Sequence, residues 1–252
     1  MNLPGALRSL WIWTASAAAI LLWLPLVAVV RLTDRDPLRL RTARLFRRLG
    51  PVLGFINPWR VVISGAANLS PRRARVVVSN HQSLADIPVI SHLGIDAKWL
   101  GKAEIFRVPV LGWMSRMAGD IPVERGDRRK GARALLECAR YLRRGCSVVF
   151  FPEGTRSRDG QVLPFNEAPF QLAIREGVPV LPLVVEGSGD ALPRNTWIFG
   201  GAKEIQVSVL DEVAVDGWSA EQAVALRELV REKMVAELER LRKAGRGDLP
   251  LG

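Results

Sequence analysis

The segment Val76-Val77-Val78-Ser79-Asn80-His81-Gln82-Ser83-Leu84-Ala85-Asp86 changes character twice. Val76–Ser79 is a short β-branched run suited to a strand. It ends at Asn80-His81, and a helix is expected from near Ser83 to about Leu93. A strand passing directly into a helix is half of a crossover unit, and the same alternation continues downstream. Val61–Ile63 precedes it as a further strand. Lys98–Leu100 reads as a weak strand, Gly112–Ala118 as a helix and Ile121–Val123 as another strand. Asp127 suits the N-cap of a helix carrying Leu135, Leu136, Ala139 and Leu142 and closed by Gly145. Cys146–Phe151 has the apolar character of a buried strand and stops at Pro152. A helix over Pro169–Glu176 separates it from strands at Val178–Val185 and Ile205–Leu210. Ser219 with Gln222 matches a capping box, opening a terminal helix with Leu226, Val230, Met234, Leu238 and Leu241 on one stripe. Residues from Gly245 onward are expected to fray. The implied fold is α/β, with a mostly parallel central sheet flanked by helices.

The 252 residues are enough for one sizeable α/β core plus an appendage. Lys plus Arg number 36 against 25 Asp plus Glu, a net charge of +11, which favours an anionic partner. Thirty of the 36 are Arg, and no RNP-like string, zinc spacing or helix-turn-helix pattern stands out, so nucleic acid is not expected. Two cysteines, Cys138 and Cys146, and two histidines, His81 and His92, exclude a disulfide framework and a Cys/His zinc site. Both cysteines read as small core residues, and His92 as a helix-face residue without a catalytic role.

The appendage is at the N-terminus. Ser9–Val30 is a 22-residue run without a charge. About 20 apolar helical residues cross a hydrocarbon core, whereas a signal peptide's apolar region is normally about 7–15. Seven arginines (31, 35, 39, 41, 44, 47 and 48) follow, against only Asp34 and Asp36. Such a cluster is held by anionic lipid and marks a cytoplasmic face. Leu38, Arg39, Arg41, Leu45, Phe46, Leu49 and Val52 read as a second, amphipathic helix ending before Pro58. A single span and two helices lying in one leaflet both remain open, since Pro25 interrupts the apolar run. Residues 1–57 are therefore read as a membrane-binding two-helix segment and 58–252 as the α/β domain.

Two segments carry candidate chemistry. His81 ends a strand and has Asp86 five residues on, within reach of its Nδ1. That bond would fix the tautomer and leave Nε2 free to take a proton from a substrate hydroxyl. The second segment is Phe151-Pro152-Glu153-Gly154-Thr155-Arg156-Ser157, directly after a strand. Its Pro and Gly force an irregular turn at the carboxyl edge of the sheet, where α/β sites form. Gly lets a ligand approach the backbone, and Arg can grip a phosphate bidentately.

Together, Asn80–Asp86 and Phe151–Ser157 resemble the first and third motifs of the glycerolipid acyltransferases, of the lysophosphatidic acid acyltransferase (PlsC) type. Gly101-Lys102, Pro109, Gly112 and Ile121–Arg125 are similar to the second motif, and Val178–Pro182 to the fourth. The resemblance covers roughly residues 60–190. It implies transfer of a fatty acyl group from a thioester, on acyl carrier protein or coenzyme A, to the hydroxyl of 1-acylglycerol 3-phosphate, giving phosphatidic acid. The implied catalytic pair is His81 as general base and Asp86 as its orienting partner. Backbone N–H groups around Gly154 are implied for the oxyanion. Arg156 and Lys102, with Arg125, are implied for the acceptor's phosphate. Glu153 and Thr155 are implied in shaping the pocket, and Pro182 in acyl-chain binding. No serine nucleophile, metal or bound cofactor is implied. The implied place of work is the cytoplasmic face of the inner membrane, among anionic lipids. The basic cluster Arg128-Arg129-Lys130 is either a solvated face or a dock for an acidic carrier protein. In one departure from the family pattern, Pro164-Phe165 is followed by Asn166-Glu167-Ala168 instead of Lys- and Gly-containing text. This leaves room for another acceptor headgroup, such as a lyso-ornithine lipid. A non-catalytic membrane adaptor is the remaining alternative, and an intact His81/Asp86 pair argues against it.

Overall fold

A computed structural model describes residues 3–69, 73–124, 126–200 and 203–245. The chain opens with three helices, α1 (Leu3–Thr33), α2 (Leu40–Arg47) and α3 (Leu49–Ile56). There follow β1 (Trp59–Ser64), β2 (Val76–Ser79), α4 (Asp86–Ile90), β3 (Ala97–Lys102), α5 (Leu111–Ala118) and β4 (Ile121–Val123). Next come α6 (Arg128–Arg143), β5 (Ser147–Phe150), α7 (Ala168–Glu176), β6 (Val180–Glu186), α8 (Ser188–Ala191), β7 (Lys203–Val209) and α9 (Ala223–Gly245). The expectation for residues beyond Gly245 lies outside the described residues.

The strands form one sheet in the order β1-β7-β6-β2-β5-β3-β4. β6, β2, β5, β3 and β4 run parallel, while β7 is antiparallel to β6 and parallel to β1. Strand β2 lies at the centre with all four residues buried, because helices cover both faces of the sheet. Successive side chains point to opposite faces. Val76 and Val78 therefore join Phe170 of α7 and Leu226, Val230, Met234, Leu238 and Leu241 of α9 in one core. Val77 joins Val89 and Ile90 of α4 in the other. The expected α9 stripe is thus entirely interior, and Ser219 and Gln222 form the expected capping box. Asp127 caps α6 by accepting from the amides of Arg129 and Lys130, each at 3.0 Å.

Two expectations need correction. The second N-terminal helix is split at Arg48 into α2 and α3. Pro51 has no N–H to give the Arg47 carbonyl, so the helical ladder fails there. α4 begins at Asp86 instead of near Ser83, since residues 82 and 83 turn their amides back onto the Asp86 carboxylate. Its last turn is a short 3-10 helix, Ser91–Leu93.

The N-terminal helices are docked on the sheet domain. Val27 packs with Ala43, Phe46, Leu49, Met114 and Ala118, and Ile12 with Ala85, Leu192 and Phe199. α3 crosses α4 closely at Gly50, where a Cβ would lie 2.6 Å from the Pro88 carbonyl oxygen. Arg44 forms a fork with Asp96, its Nε at 2.7 Å, and Arg47 pairs with Asp120. These two arginines therefore serve packing. Arg35, Arg41 and Arg48 are exposed and have no ion pair among the described residues.

Candidate active site

The carboxyl ends of β2, β5 and β6 meet at one edge of the sheet, and the loops leaving them build the site. His81 leaves β2. Its Nδ1 lies 2.6 Å from Asp86 Oδ2, which also accepts from the amides of Gln82 at 2.8 Å and Ser83 at 2.9 Å. Asp86 is wholly buried, so these donors replace water around its charge. The imidazole stacks on Phe151 with centroids 4.1 Å apart, which sets the plane of the ring.

The turn after β5 is tied to the same histidine. Glu153 Oε1 accepts from the His81 amide at 2.9 Å, and the Ser157 amide donates to the His81 carbonyl at 2.7 Å. Gly154 takes φ +69, and its amide donates to Phe151 O at 3.1 Å. Gly154's own N–H is therefore engaged. The neighbouring amides of Thr155 and Arg156 have no hydrogen-bond partner among the described residues. The divergent Asn166 braces this turn, donating from Nδ2 to the Pro152 carbonyl at 2.7 Å. Glu167 accepts from Gln171 in the first turn of α7.

Arg156 is half-buried and has no ion pair among the described residues, and its carbonyl accepts from Arg194 Nη1 at 2.6 Å. Thr155 is exposed. Lys102 ends β3, three residues beyond the Trp99–Val149 pairing and so level with Pro152; its ammonium lies 3.3 Å from Glu104. Pro182 is buried within β6, paired with Val78. Val180 bridges Val213 while Leu183 pairs with Val209, which leaves one extra residue opposite Pro182, a bulge that tolerates its missing N–H. Arg125 lies outside the described residues, as does the side chain of Arg128. Hydrogen bonds and ring stacking therefore unite His81, Asp86, Phe151, Glu153 and Ser157, while Lys102 and Pro182 relate to them by strand register.

The sequence reading missed the segment after β6. Asn80 and the Val185 backbone exchange two hydrogen bonds of 2.8 Å. Ser83 Oγ donates to Leu192 O at 2.7 Å, and Ser188 Oγ donates to Asp86 Oδ1. Gln82 reaches Glu186 at 3.0 Å and Gly160 O at 3.2 Å, and Arg242 of α9 holds the same two residues. Nothing local in Gly187-Ser188-Gly189 marked these long-range contacts.

His92 accompanies α4, its Nδ1 3.0 Å from Pro88 O, against Gly54 of α3. Cys138 and Cys146 are buried, which pushes their thiols up to about 12 and about 11, as inert core residues.

Burial pushes Glu153 up from 4.5 to about 7, and Asp86 adds to the rise; the His81 and Leu163 amides and the Arg231 charge oppose it. The folded protein therefore holds a proton that the unfolded chain releases. Stability falls as pH rises from 4.5 through about 7, by at most about 3 kcal/mol. Glu153→Gln should lose this contribution. Between pH 5 and 8 its melting temperature should decline less steeply than that of the wild type in parallel thermal melts. Equal slopes would show that Glu153 does not titrate in that window.

The fold and the paired imidazole and carboxylate define an α/β protein with a buried His–Asp pair at the carboxyl edge of its sheet. Comparison with known proteins narrows this. The family described as Acyltransferase matches residues 60–186, and the chain belongs to that family. A Brassica napus protein named a chloroplastic 1-acyl-sn-glycerol-3-phosphate acyltransferase is 42% identical over 139 residues, 55% of this chain and 40% of the relative. An Arabidopsis thaliana protein of the same description is 36% identical over 162 residues, 64% of this chain and 46% of the relative. The chain thus spans less than half the length of these two plant relatives. The crystal structure of the 1-acyl-sn-glycerophosphate (LPA) acyltransferase PlsC from Thermotoga maritima superimposes with a TM-score of 0.82 at 28% identity. That match covers 96% of this chain and 97% of the solved one.

Proposed function

We propose that the protein transfers a fatty acyl group from an acyl thioester to the free hydroxyl of 1-acylglycerol 3-phosphate, giving phosphatidic acid. The observation that carries this reading is the 2.6 Å contact between His81 Nδ1 and a buried Asp86, beside the Phe151–Ser157 turn. The relatives, named as 1-acyl-sn-glycerol-3-phosphate acyltransferases, suggest the substrate class. With Nδ1–H given to Asp86, Nε2 carries the lone pair that accepts the acceptor's proton. The hydroxyl oxygen bonds to the thioester carbonyl carbon, and the carbonyl oxygen becomes an oxyanion. The amides of Thr155 and Arg156, without a partner among the described residues, are donors suited to that charge. Collapse breaks the C–S bond, and the departing thiolate takes the proton from His81. Acyl carrier protein or coenzyme A carries the thioester as co-substrate, and the chemistry needs no metal or bound cofactor.

Arg156 holds the phosphate in this reading, with Lys102 and, by its place in the sequence, Arg125; Pro182 adjoins the acyl chain. Arg156→Ala should raise the KM for a phosphate-bearing acceptor about tenfold to a hundredfold, the worth of a hydrogen bond to a charged group. An effect confined to the KM for the thioester would reassign Arg156 to the donor.

Among the described residues one apolar helix, α1, is long enough to cross a membrane. Its Ala6, Ser9, Ile12, Ser16 and Val27 face the protein, and Leu7, Leu10, Trp11, Leu22, Leu26 and Val29 face outward. Arg8 near one end donates to Gly200 O at 2.8 Å, and Trp23 towards the other donates to Leu45 O at 2.9 Å. A helix held by one polar domain near both ends keeps both on one side of a bilayer. In this reading α1 lies in the plane of one leaflet. The exposed arginines face anionic lipid at the cytoplasmic surface of the inner membrane.

The test offers lysophosphatidic acid, other lysophospholipids and a lyso-ornithine lipid with acyl carrier protein and coenzyme A thioesters, with products identified by mass spectrometry. Phosphatidic acid is expected as the main product. Preference for another lysolipid would change the acceptor, and no transfer to any would end the reading.

A further inference from the structure

Asp86 is held by more than the motif that contains it. Oδ2 takes three donors, the His81 ring and the amides of Gln82 and Ser83. Oδ1 takes one among the described residues, the hydroxyl of Ser188, which lies 102 positions further along the chain. Both residues are fully buried, so water does not substitute for this bond. The path of the chain is built to deliver it. β6 ends at Glu186, and Gly187 turns it sharply at φ +86. A Cβ on Gly187 would lie 2.5 Å from the Glu204 carbonyl oxygen, so only glycine fits. The next residue, Ser188, opens α8 directly behind Asp86, and the Ser83–Leu192 bond fastens the other end of α8 to the same loop.

We propose that Ser188 is a positioning residue for the His81–Asp86 pair, an inference that rests on the acyl-transfer reading above. It is not a nucleophile: its Oγ is buried and its proton is committed to Asp86. A carboxylate pivots about its Cβ–Cγ bond, and a donor on Oδ1 opposes that rotation, keeping Oδ2 directed at the imidazole. It also shares the carboxylate's charge with a second donor. Without the hydroxyl, a buried carboxylate with one orphaned oxygen draws positive charge onto the ring more strongly. A larger share of the base is then protonated at acidic pH, and the ring is less well aimed. Other ionisable groups on the packed segments are Glu153, which accepts from the His81 amide, Glu186, which pairs with Arg242, and the exposed Asp190 of α8. None of them bonds to Ser188, so its loss acts through Asp86.

The test compares wild type, Ser188→Ala and Ser188→Thr in full pH–rate profiles of lysophosphatidic acid acylation, with thermal melts of each. Ser188→Ala should lower kcat about tenfold to a hundredfold, the worth of a hydrogen bond to a charged group. The acceptor KM should change by less than about twofold, because Ser188 binds no part of the acceptor. The acidic limb of kcat/KM should move to higher pH. Ser188→Thr, which keeps the hydroxyl, should bring both quantities back towards wild type. A Ser188→Ala enzyme with wild-type kcat and an unmoved acidic limb would overturn the proposal. So would a loss of activity that follows a loss of folded protein with the limb in place. If the wild type itself acylates no lysolipid, the acyl-transfer reading is what fails, and this inference falls with it.

Discussion

His81→Ala is expected to cut turnover by about 10²–10⁴, the usual worth of a positioned base, and to leave the protein folded. The second half of this expectation comes from the packing. Removing the imidazole takes one donor from the buried Asp86, but the Gln82 and Ser83 amides and the Ser188 hydroxyl remain. The carboxylate is therefore not left without partners, which is the event that makes a buried charge costly. Phe151 loses its stacking partner but stays against the Val77 core. The measurement is steady-state acyl transfer beside a thermal melt of each protein. Near-full activity in a folded variant would remove His81 from the mechanism.

The double variant Leu22→Glu/Leu26→Glu is expected to lower partitioning onto anionic vesicles by about 10²–10⁴. Burying a leucine side chain is worth roughly 1.5–3 kcal/mol, and two are lost together. Leu22 is 71% exposed and Leu26 51%, on the outward side of α1, so neither supports the core. The melting temperature in solution should stay close to that of the wild type. Removing the whole helix is a different experiment, because Ile12 and Val27 belong to the interior and leave with it. Co-sedimentation with phosphatidylglycerol-containing vesicles gives the first quantity. A double variant that still pellets fully with lipid would show that the membrane contact lies elsewhere.

The legible parts of the chain were those whose signal is local. Val76–Ser79 and the run ending at Phe151 appear as β2 and β5 because β-branched and aromatic residues between polar turns fit only a covered strand. The α9 stripe and its capping box are set by helical spacing, and both are present. The His81–Asp86 pair was also readable, since four intervening residues of turn bring the carboxylate back to the ring. What escaped depended on distant neighbours. The break at Arg48 was obscured by a hydrophobic pattern that runs across it, and the late start of α4 by the Asp86 carboxylate's claim on the preceding amides. Arg44 and Arg47 looked like lipid-facing charge until Asp96 and Asp120 were found opposite them.

The order of strands and helices, the acidic partner of the histidine and the apolar character of the first helix were all properties of the sequence alone. Each depends on residues within a few turns of one another, where backbone geometry leaves little choice. Which arginines hold the protein together, which face of α1 is free, and that Ser188 completes the environment of Asp86 were decided by the tertiary structure. Those contacts join residues as many as 102 positions apart, and only the packing of the sheet brings them within hydrogen-bonding distance.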